Sequence, residues 1–396
     1  MKNIKKQKFL WGVVNIGQQT EGNNYNSDWS KWASRDQVPR IGGANDYWNQ
    51  YKAFHKLAQG IGCNSFRLSI EWSRIEPHEG VFDVEALEHY RKIINDIRTN
   101  NMDVVVGLWH WSIPIWFEEK YGMHSGKCVD LFMHFVDYIC SELGEAIDVV
   151  VILNEPSVYV ATSYVGGTRP PFLKSLTKSM LVKHNLIKIH KLAYNKWKQK
   201  FPHALVGSTF LYNDEQGAQN TTMQNRYLKG KRFLQNGSMM RKLSKHSDYI
   251  GVNYYTSDNF FFGRSGGRWG VHGTNNWHSP DVWHTFAKGL YRVLMELKKY
   301  NKPIFIMENG KPTVPGVDDK DRQKLLKDTI GYIQKAISEG VDVAGYFHYS
   351  LVDSYEWDSG YDFKFGLVEI DRETGQVVKR ESYDVYKDII QKNIIS

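Results

Sequence analysis

The chain has 396 residues, 41% of them hydrophobic and 14% aromatic, which excludes intrinsic disorder and leaves room for one large core. Its formal net charge of +8 sits partly in Lys2, Lys5, Lys6 and Lys8 and partly over 183–245. No aromatic–basic motif or zinc spacing accompanies that charge, so a solvated basic face is expected rather than a nucleic-acid surface.

Cys63, Cys128 and Cys140 are odd in number and match no metal-ligand spacing, which predicts free thiols in a reducing compartment. The apolar stretch after the leading lysines is too short for a signal peptide, and no run approaches transmembrane length. A cytoplasmic protein with no membrane partner is the expectation. Oligomeric state is not legible.

In chain order, eight apolar strand-like runs alternate with helical periodicity. They are FLWGVVNI (9–16), SFRLSI (65–70), DVVVGLW (103–109), DVVVILN (148–154), ALVGSTFLY (204–212), YIGVNYY (249–255), PIFIMEN (303–309) and VAGYFHY (343–349). Helix-patterned stretches lie between them, at 46–59, 84–100, 128–143, 176–200, 284–300 and 321–338. With no linker or repeat, this alternation predicts an α/β chain folded as a single (β/α)8 TIM barrel over 1–396, with its functional face at the strand C-termini. From 213 to 247 the helical pattern is weak and broken by Gly217, Gly230 and Gly237, so a reduced helical shell is expected around the fifth and sixth βα units. The Gly- and Asn-rich stretch 256–278 reads as an irregular loop.

Two of the strand-like runs end in a glutamate: ILNEPS (152–157) delivers Glu155 and IFIMENG (304–310) delivers Glu308. Paired carboxyls at strand C-termini suit glycosidic bond cleavage, which with retention needs two carboxyl groups about 5–5.5 Å apart in environments that separate their pKa values. Arg67, inside the barrel mouth if 65–70 is the second strand, would keep a nearby carboxylate ionised. Asn154 stands next to Glu155, where it can donate to a sugar hydroxyl. The many aromatic rings suit sugar C–H faces, although a large barrel also buries many in its core.

Taken together, these strings resemble glycoside hydrolase family 1, the β-glucosidase and β-galactosidase family, from Phe9 to about Ile390. The resemblance implies Glu155 as acid/base and Glu308 as nucleophile, with Arg67 and Tyr255 contacting the nucleophile and Asn253 beside them. FLWGVVNIGQQTEG aligns without gaps to the family's first strand, which makes Gln19 rather than Gln18 the glycone-binding glutamine. LWHWSIP supplies His110 and Trp111, and YSLVDSYEWDSGY supplies Glu356 and Trp357 for the sugar's outer hydroxyls. KFG (364–366) completes the set, and Trp283 matches a tryptophan on the aglycone side. The implied function is a retaining β-glycosidase on small β-linked glycosides with no metal or cofactor. A transglycosidase, or a carbohydrate-binding protein with little turnover, stays open as an alternative.

The chain also departs from the family. It is shorter, mainly between the fourth and sixth strands, which implies a more open aglycone side. Tyr349 replaces a tryptophan under the glycone, Ser112 an aspartate and Lys364 an arginine. A cis bond is expected at Tyr349–Ser350. The Glu356 carboxylate would repel a 6-phosphate, which favours an unphosphorylated gluco-, galacto- or fuco-type glycone.

Overall fold

The computed structural model describes residues 8–217, 222–232, 236–260, 271–272, 285–313 and 319–392. Eight parallel strands close into a barrel: β1 Leu10–Asn15, β2 Ser65–Ser69, β3 Asp103–Gly107, β4 Val149–Asn154, β5 Leu205–Leu211, β6 Ile250–Tyr254, β7 Ile304–Asn309 and β8 Val343–His348. Each pairs with its sequence neighbour, and β1 closes the circle on β8.

Alternation along the strands divides the core in two. Leu10, Val14, Val105, Val149, Val151, Phe305, Met307 and Phe347 pack inside the barrel. Trp11, Val13, Phe66, Leu68, Val104, Val106, Val150, Ile304, Ile306 and Tyr346 face outward into the helical sheath. This is the period of two expected of a pleated strand, with both faces apolar because both are covered.

The sheath helices follow the predicted stretches: Tyr47–Ile61, Val84–Thr99, Cys128–Glu142, Leu176–Lys200, Ala287–Leu297 and Lys320–Ser338. Val84–Thr99 shows the logic. Asp83 caps it by accepting from Ala86 N at 2.9 Å, and Leu87, Tyr90, Ile94 and Ile97 recur on its buried face.

Two stretches differ in detail from expectation. The 213–247 connection is thinned rather than bare: helices Thr222–Arg232 and Ser238–Leu243 bury Leu228, Met239, Met240 and Leu243. The 256–278 stretch is not wholly irregular. Ser257–Phe260 pairs in parallel with Asp214–Gly217 and antiparallel with Val271–His272, a small sheet whose polar, glycine-flanked strands gave no alternating signal. Among the described residues no helix is long and apolar enough to cross a membrane, and all three cysteines are free and buried.

Of the register shifts in the barrel, two lie near the strand C-termini and matter for the site. Between β4 and β5, Val151 pairs with Gly207 and Asn154 with Thr209, so β4 takes three steps where β5 takes two. Between β7 and β8, Ile306 pairs with Tyr346 and Asn309 with His348, again three steps against two. Each irregularity carries one extra residue, as a β-bulge does, and flips the facing of everything after it. Ile152 and Leu153 consequently both pack outward, which turns Asn154 into the lumen. In β7, Met307 lies within the barrel's interior cluster while the adjacent Glu308 lines the cavity.

Candidate active site

At the C-terminal mouth of the barrel lies a cavity of about 410 Å3. It is lined by Gln19, His110, Trp111, Asn154, Glu155, Tyr255, Glu308, Tyr349, Glu356 and Trp357, which unites ten of the thirteen residues proposed from sequence. Arg67 and Asn253 lie directly beneath, bonded to residues of that lining. Trp283 lies outside the described residues.

Each glutamate is placed by its local chain. Glu155 follows the last residue of β4 with φ of 45° and ψ of 52°, and Pro156 opens the short helix Pro156–Tyr159. A left-handed residue is compatible with the bulk of a following proline, which disfavours right-handed helix before it. Left-handed backbone recurs at Trp111 (φ 73°) and Trp357 (φ 53°). At Trp111 it forms a tight turn closed by Ser112 N donating to His110 O at 2.9 Å. Such backbone costs about 1–3 kcal/mol per bulky residue and clusters at functional sites.

The two carboxyls have contrasting neighbours. Glu308 Oε1 accepts from Arg67 Nη1 at 2.7 Å, and its Oε2 accepts from the Tyr255 hydroxyl at 2.8 Å. Glu155 Oε1 accepts only a neutral amide, from Asn253 Nδ2 at 2.7 Å. Burial first, and the charge of Glu308 second, push the Glu155 carboxyl from 4.5 up to about 8. Carboxyls held so differently over one cavity can divide acid and base work. Asn253, grouped by sequence with the nucleophile's contacts, touches Glu155 and Asn154 instead. It sits on β6, whose neighbour on the far side from β7 is β5, and its amide reaches across toward β4.

Asn154 is the hub beneath both. Its Oδ1 accepts from Arg67 Nη2 (2.8 Å), Thr209 Oγ1 (2.6 Å) and Asn253 Nδ2 (3.2 Å). A guanidinium can only donate, so that oxygen is fixed and Asn154 Nδ2 must be the donor to His110 Nε2 at 3.1 Å. His110 is held neutral by burial and by the positive charges of Arg67 and Arg169. Its single proton therefore sits on Nδ1, which has no partner among the described residues. Asn154 thus spends one of its two amide hydrogens on His110 and keeps the other for the cavity it lines, where His110 Nδ1–H is a second donor.

The opposite wall carries the departures in sequence. Gln19 Nε2 donates to the Tyr349 hydroxyl (2.7 Å) and Tyr355 O (2.6 Å), and its buried Oε1 has no partner among the described residues. The Tyr349 hydroxyl in turn donates to Glu356, at 2.9 and 3.0 Å from its two oxygens. The polar tip that distinguishes Tyr349 from a tryptophan therefore ties the floor of the cavity to its acidic corner. Burial raises Glu356 to about 8. Tyr349–Ser350 is cis, as expected. Ser112 Oγ donates at 2.5 Å to buried Glu71, whose other oxygen holds Gln18 N and Ser69 Oγ. A carboxylate at position 112 would face Glu71 directly, which accounts for a serine there. Nothing in the structure explains Lys364.

Sequence reasoning missed Arg169 and Asp358, an ion pair at 2.8 Å on the cavity rim, with Arg169 also 4.7 Å above the Trp111 ring. Phe363 and Phe365 also line the wall, the latter edge-on to Tyr349 at 5.3 Å. The Gly-Gly-Thr-Arg-Pro-Pro string at 166–171 was the available signal, a rigid turn presenting one cation soon after Glu155. Among the described residues no cluster of His, Cys, Asp or Glu could hold a metal ion.

The buried acids also set the pH dependence of stability. Glu155 and Glu356 near 8, with Glu21 raised to about 7 by burial, keep protons that the unfolded chain releases from about 4.5 upward. Stability from these groups therefore falls as pH rises from about 4.5 to 8. Buried His55 and His190, each lowered from 6.5 to about 4, oppose this only below 6.5. The melting temperature should consequently drop between about pH 6.5 and 8. A flat or rising series of thermal melts over that window would contradict the burial of these acids.

Comparison with known proteins agrees with the geometry. The family model for glycosyl hydrolase family 1 matches residues 1–226 and 216–395. A beta-galactosidase of Sulfolobus acidocaldarius is 29% identical over 97% of this chain and 94% of its own length. Beta-glucosidase A of Acetivibrio thermocellus is 27% identical over 97% of this chain and 98% of its own. The solved beta-glycosidase from Pyrococcus horikoshii superposes with a TM-score of 0.88 at 30% identity, covering 96% of this chain and 93% of that one. The chain is a glycoside hydrolase and belongs to glycosyl hydrolase family 1.

Proposed function

We propose that this barrel is a retaining β-glycosidase that hydrolyses small, unphosphorylated β-glycosides by double displacement, with neither metal nor cofactor. The observation that carries the reading is the pair of buried carboxyls on one cavity, one bonded to a guanidinium and a phenol and the other raised to about 8. In the first step a Glu308 oxygen attacks the anomeric carbon while the glycosidic C–O bond breaks. Glu155 delivers its proton to the departing oxygen. In the second step Glu155, now a carboxylate, takes a proton from water, whose oxygen displaces Glu308 and regenerates both groups. Arg67 and Tyr255 hold the attacking carboxylate in place. Asn253 holds the acid.

The glycone is met by groups with spare valence: His110 Nδ1–H as donor and Gln19 Oε1 as acceptor, with Trp111 and Trp357 beside them, their rings 5.2 Å apart. Glu356, protonated below about 8, can donate to a sugar hydroxyl. Three unpaired, buried thiols support a reducing, cytoplasmic setting.

A panel of 4-nitrophenyl β-glycosides with gluco, galacto, fuco, manno and 6-phosphogluco sugars tests this. Release is expected from the first three, with the β-anomer of the sugar appearing first by NMR. No release from any, or the α-anomer first, would refute the reading.

A further inference from the structure

Behind the wall of the catalytic cavity lies a buried carboxyl that the reaction does not use. Glu71 stands just past β2, opens the short helix Trp72–Ile75 and is 2% exposed. Its Oε1 accepts from Gln18 N and from Ser69 Oγ, each at 3.0 Å, and its Oε2 accepts from Ser112 Oγ at 2.5 Å.

Those bonds reach two separate arms of the site. The first is helix Gly17–Thr20, which carries Gln19. The N–H groups of a helix's first turn have no partner within it. Here Ser69 Oγ accepts from Gly17 N at 2.8 Å and Glu71 accepts from Gln18 N, so the turn that aims Gln19 is seated on the end of β2. Position 17 has no room for a side chain, because a Cβ there would stand 2.7 Å from Glu71 Oε1 and 2.8 Å from its Cγ. The second arm is the turn His110–Trp111–Ser112, with its left-handed residue at Trp111. Such backbone persists only where the surroundings over-determine it. Ser112 Oγ ties this turn to Glu71, and just beyond it Ile113 N donates to Asp28 Oδ1 at 2.9 Å.

We propose that Glu71 is a positioning residue for the glycone, setting the Gln19 arm against the His110–Trp111 arm so that both meet one sugar. The inference rests on the proposed function only in taking Gln19, His110 and Trp111 as sugar contacts. Groups that share one ligand lose up to about 100-fold when misplaced by about 1 Å. Neither arm carries Glu155 or Glu308, so loss of Glu71 acts on sugar binding rather than on bond breaking.

The test reads binding apart from turnover. It uses the 4-nitrophenyl glycoside preferred in the panel and the tightest-binding of free glucose, galactose and fucose, followed by tryptophan fluorescence. In Glu71→Ala, KM and the Kd of the free sugar should rise together about tenfold or more, with kcat within about threefold. The basic limb of the pH profile should stay near 8. Glu71→Gln keeps a carbonyl for Gln18 N and Ser69 Oγ and turns an amide toward Ser112 Oγ, so both constants should return to within about threefold of the original. Ser112→Ala frees one arm, should raise both constants about threefold, and should add nothing to Glu71→Ala, because the two act through one bond. Unchanged KM and Kd in Glu71→Ala would overturn the positioning role; should that variant not fold, the same result in Ser112→Ala would do so. No recovery in Glu71→Gln, or an effect confined to kcat with a shifted pH limb, would overturn it too. No turnover by the intact protein, with free-sugar binding still weakened in these variants, would remove the catalytic reading and leave the positioning role standing.

Discussion

Replacing Glu308 by alanine is expected to reduce turnover of an aryl β-glycoside by about 10^4-fold or more, because the covalent route has no substitute nucleophile. Azide should partly restore it. The anion fits the space left by the carboxylate and attacks the anomeric carbon from the same face, giving an α-glycosyl azide. The Arg67 guanidinium and Tyr255 hydroxyl, both directed at Glu308 in the intact protein, would then face that anion. Loss of activity without azide rescue, or rescue that yields the β-azide, would remove Glu308 from the nucleophile's role. Circular dichroism melts accompany the assay, since the variant also strands the buried guanidinium, whose second nitrogen stays bonded to Asn154.

The second large effect belongs to Glu155 and depends on the leaving group. Glu155→Ala should cut kcat/KM on alkyl or plain phenyl glycosides by about 10^2–10^4-fold. A 2,4-dinitrophenyl glycoside needs no protonation and should form the glycosyl-enzyme at close to the original rate. Breakdown then becomes slow, because no base activates water. Azide needs no base and should accelerate that step, giving the β-glycosyl azide, the opposite anomer to that from Glu308→Ala. The pH profile supplies an independent check: the basic limb of the intact enzyme should fall near 8, where Glu155 loses its proton, and should vanish in the variant. Equal losses across leaving groups would exclude Glu155 as the acid.

Much of this was legible before any coordinates. The strand runs are β-branched and separated by helical periods long enough to name, so the barrel follows from alternation alone. Both glutamates announce themselves because a carboxylate at the end of an apolar run is out of place there. Arg67 is equally plain, being the one charge in a strand with 65 and 69 on the same inward face.

What could not be read depends on contacts across the barrel. Asn253 is the register partner of Glu308 on the neighbouring strand, yet its side chain reaches Glu155, a direction that spacing does not encode. The proton on His110 Nδ1 follows from Arg67 through Asn154, three residues from three different strands or strand ends. Arg169 works through a rigid turn whose composition says only that it is a turn. Ser112 made sense only beside Glu71, far from it in sequence. The small sheet built on Asp214–Gly217 escaped for a different reason, since its stability comes from pairing partners rather than from its own apolar pattern.

The extra residue in β4 and the extra residue in β7 lead to one more conclusion. With perfectly regular pleating, Asn154 and Glu308 would each present to the helical jacket, and the frame would be a better-ordered but chemically silent object. Reactivity here is therefore a matter of phase. One extra position in each strand decides whether Asn154 and Glu308 meet the cavity or the helices outside it.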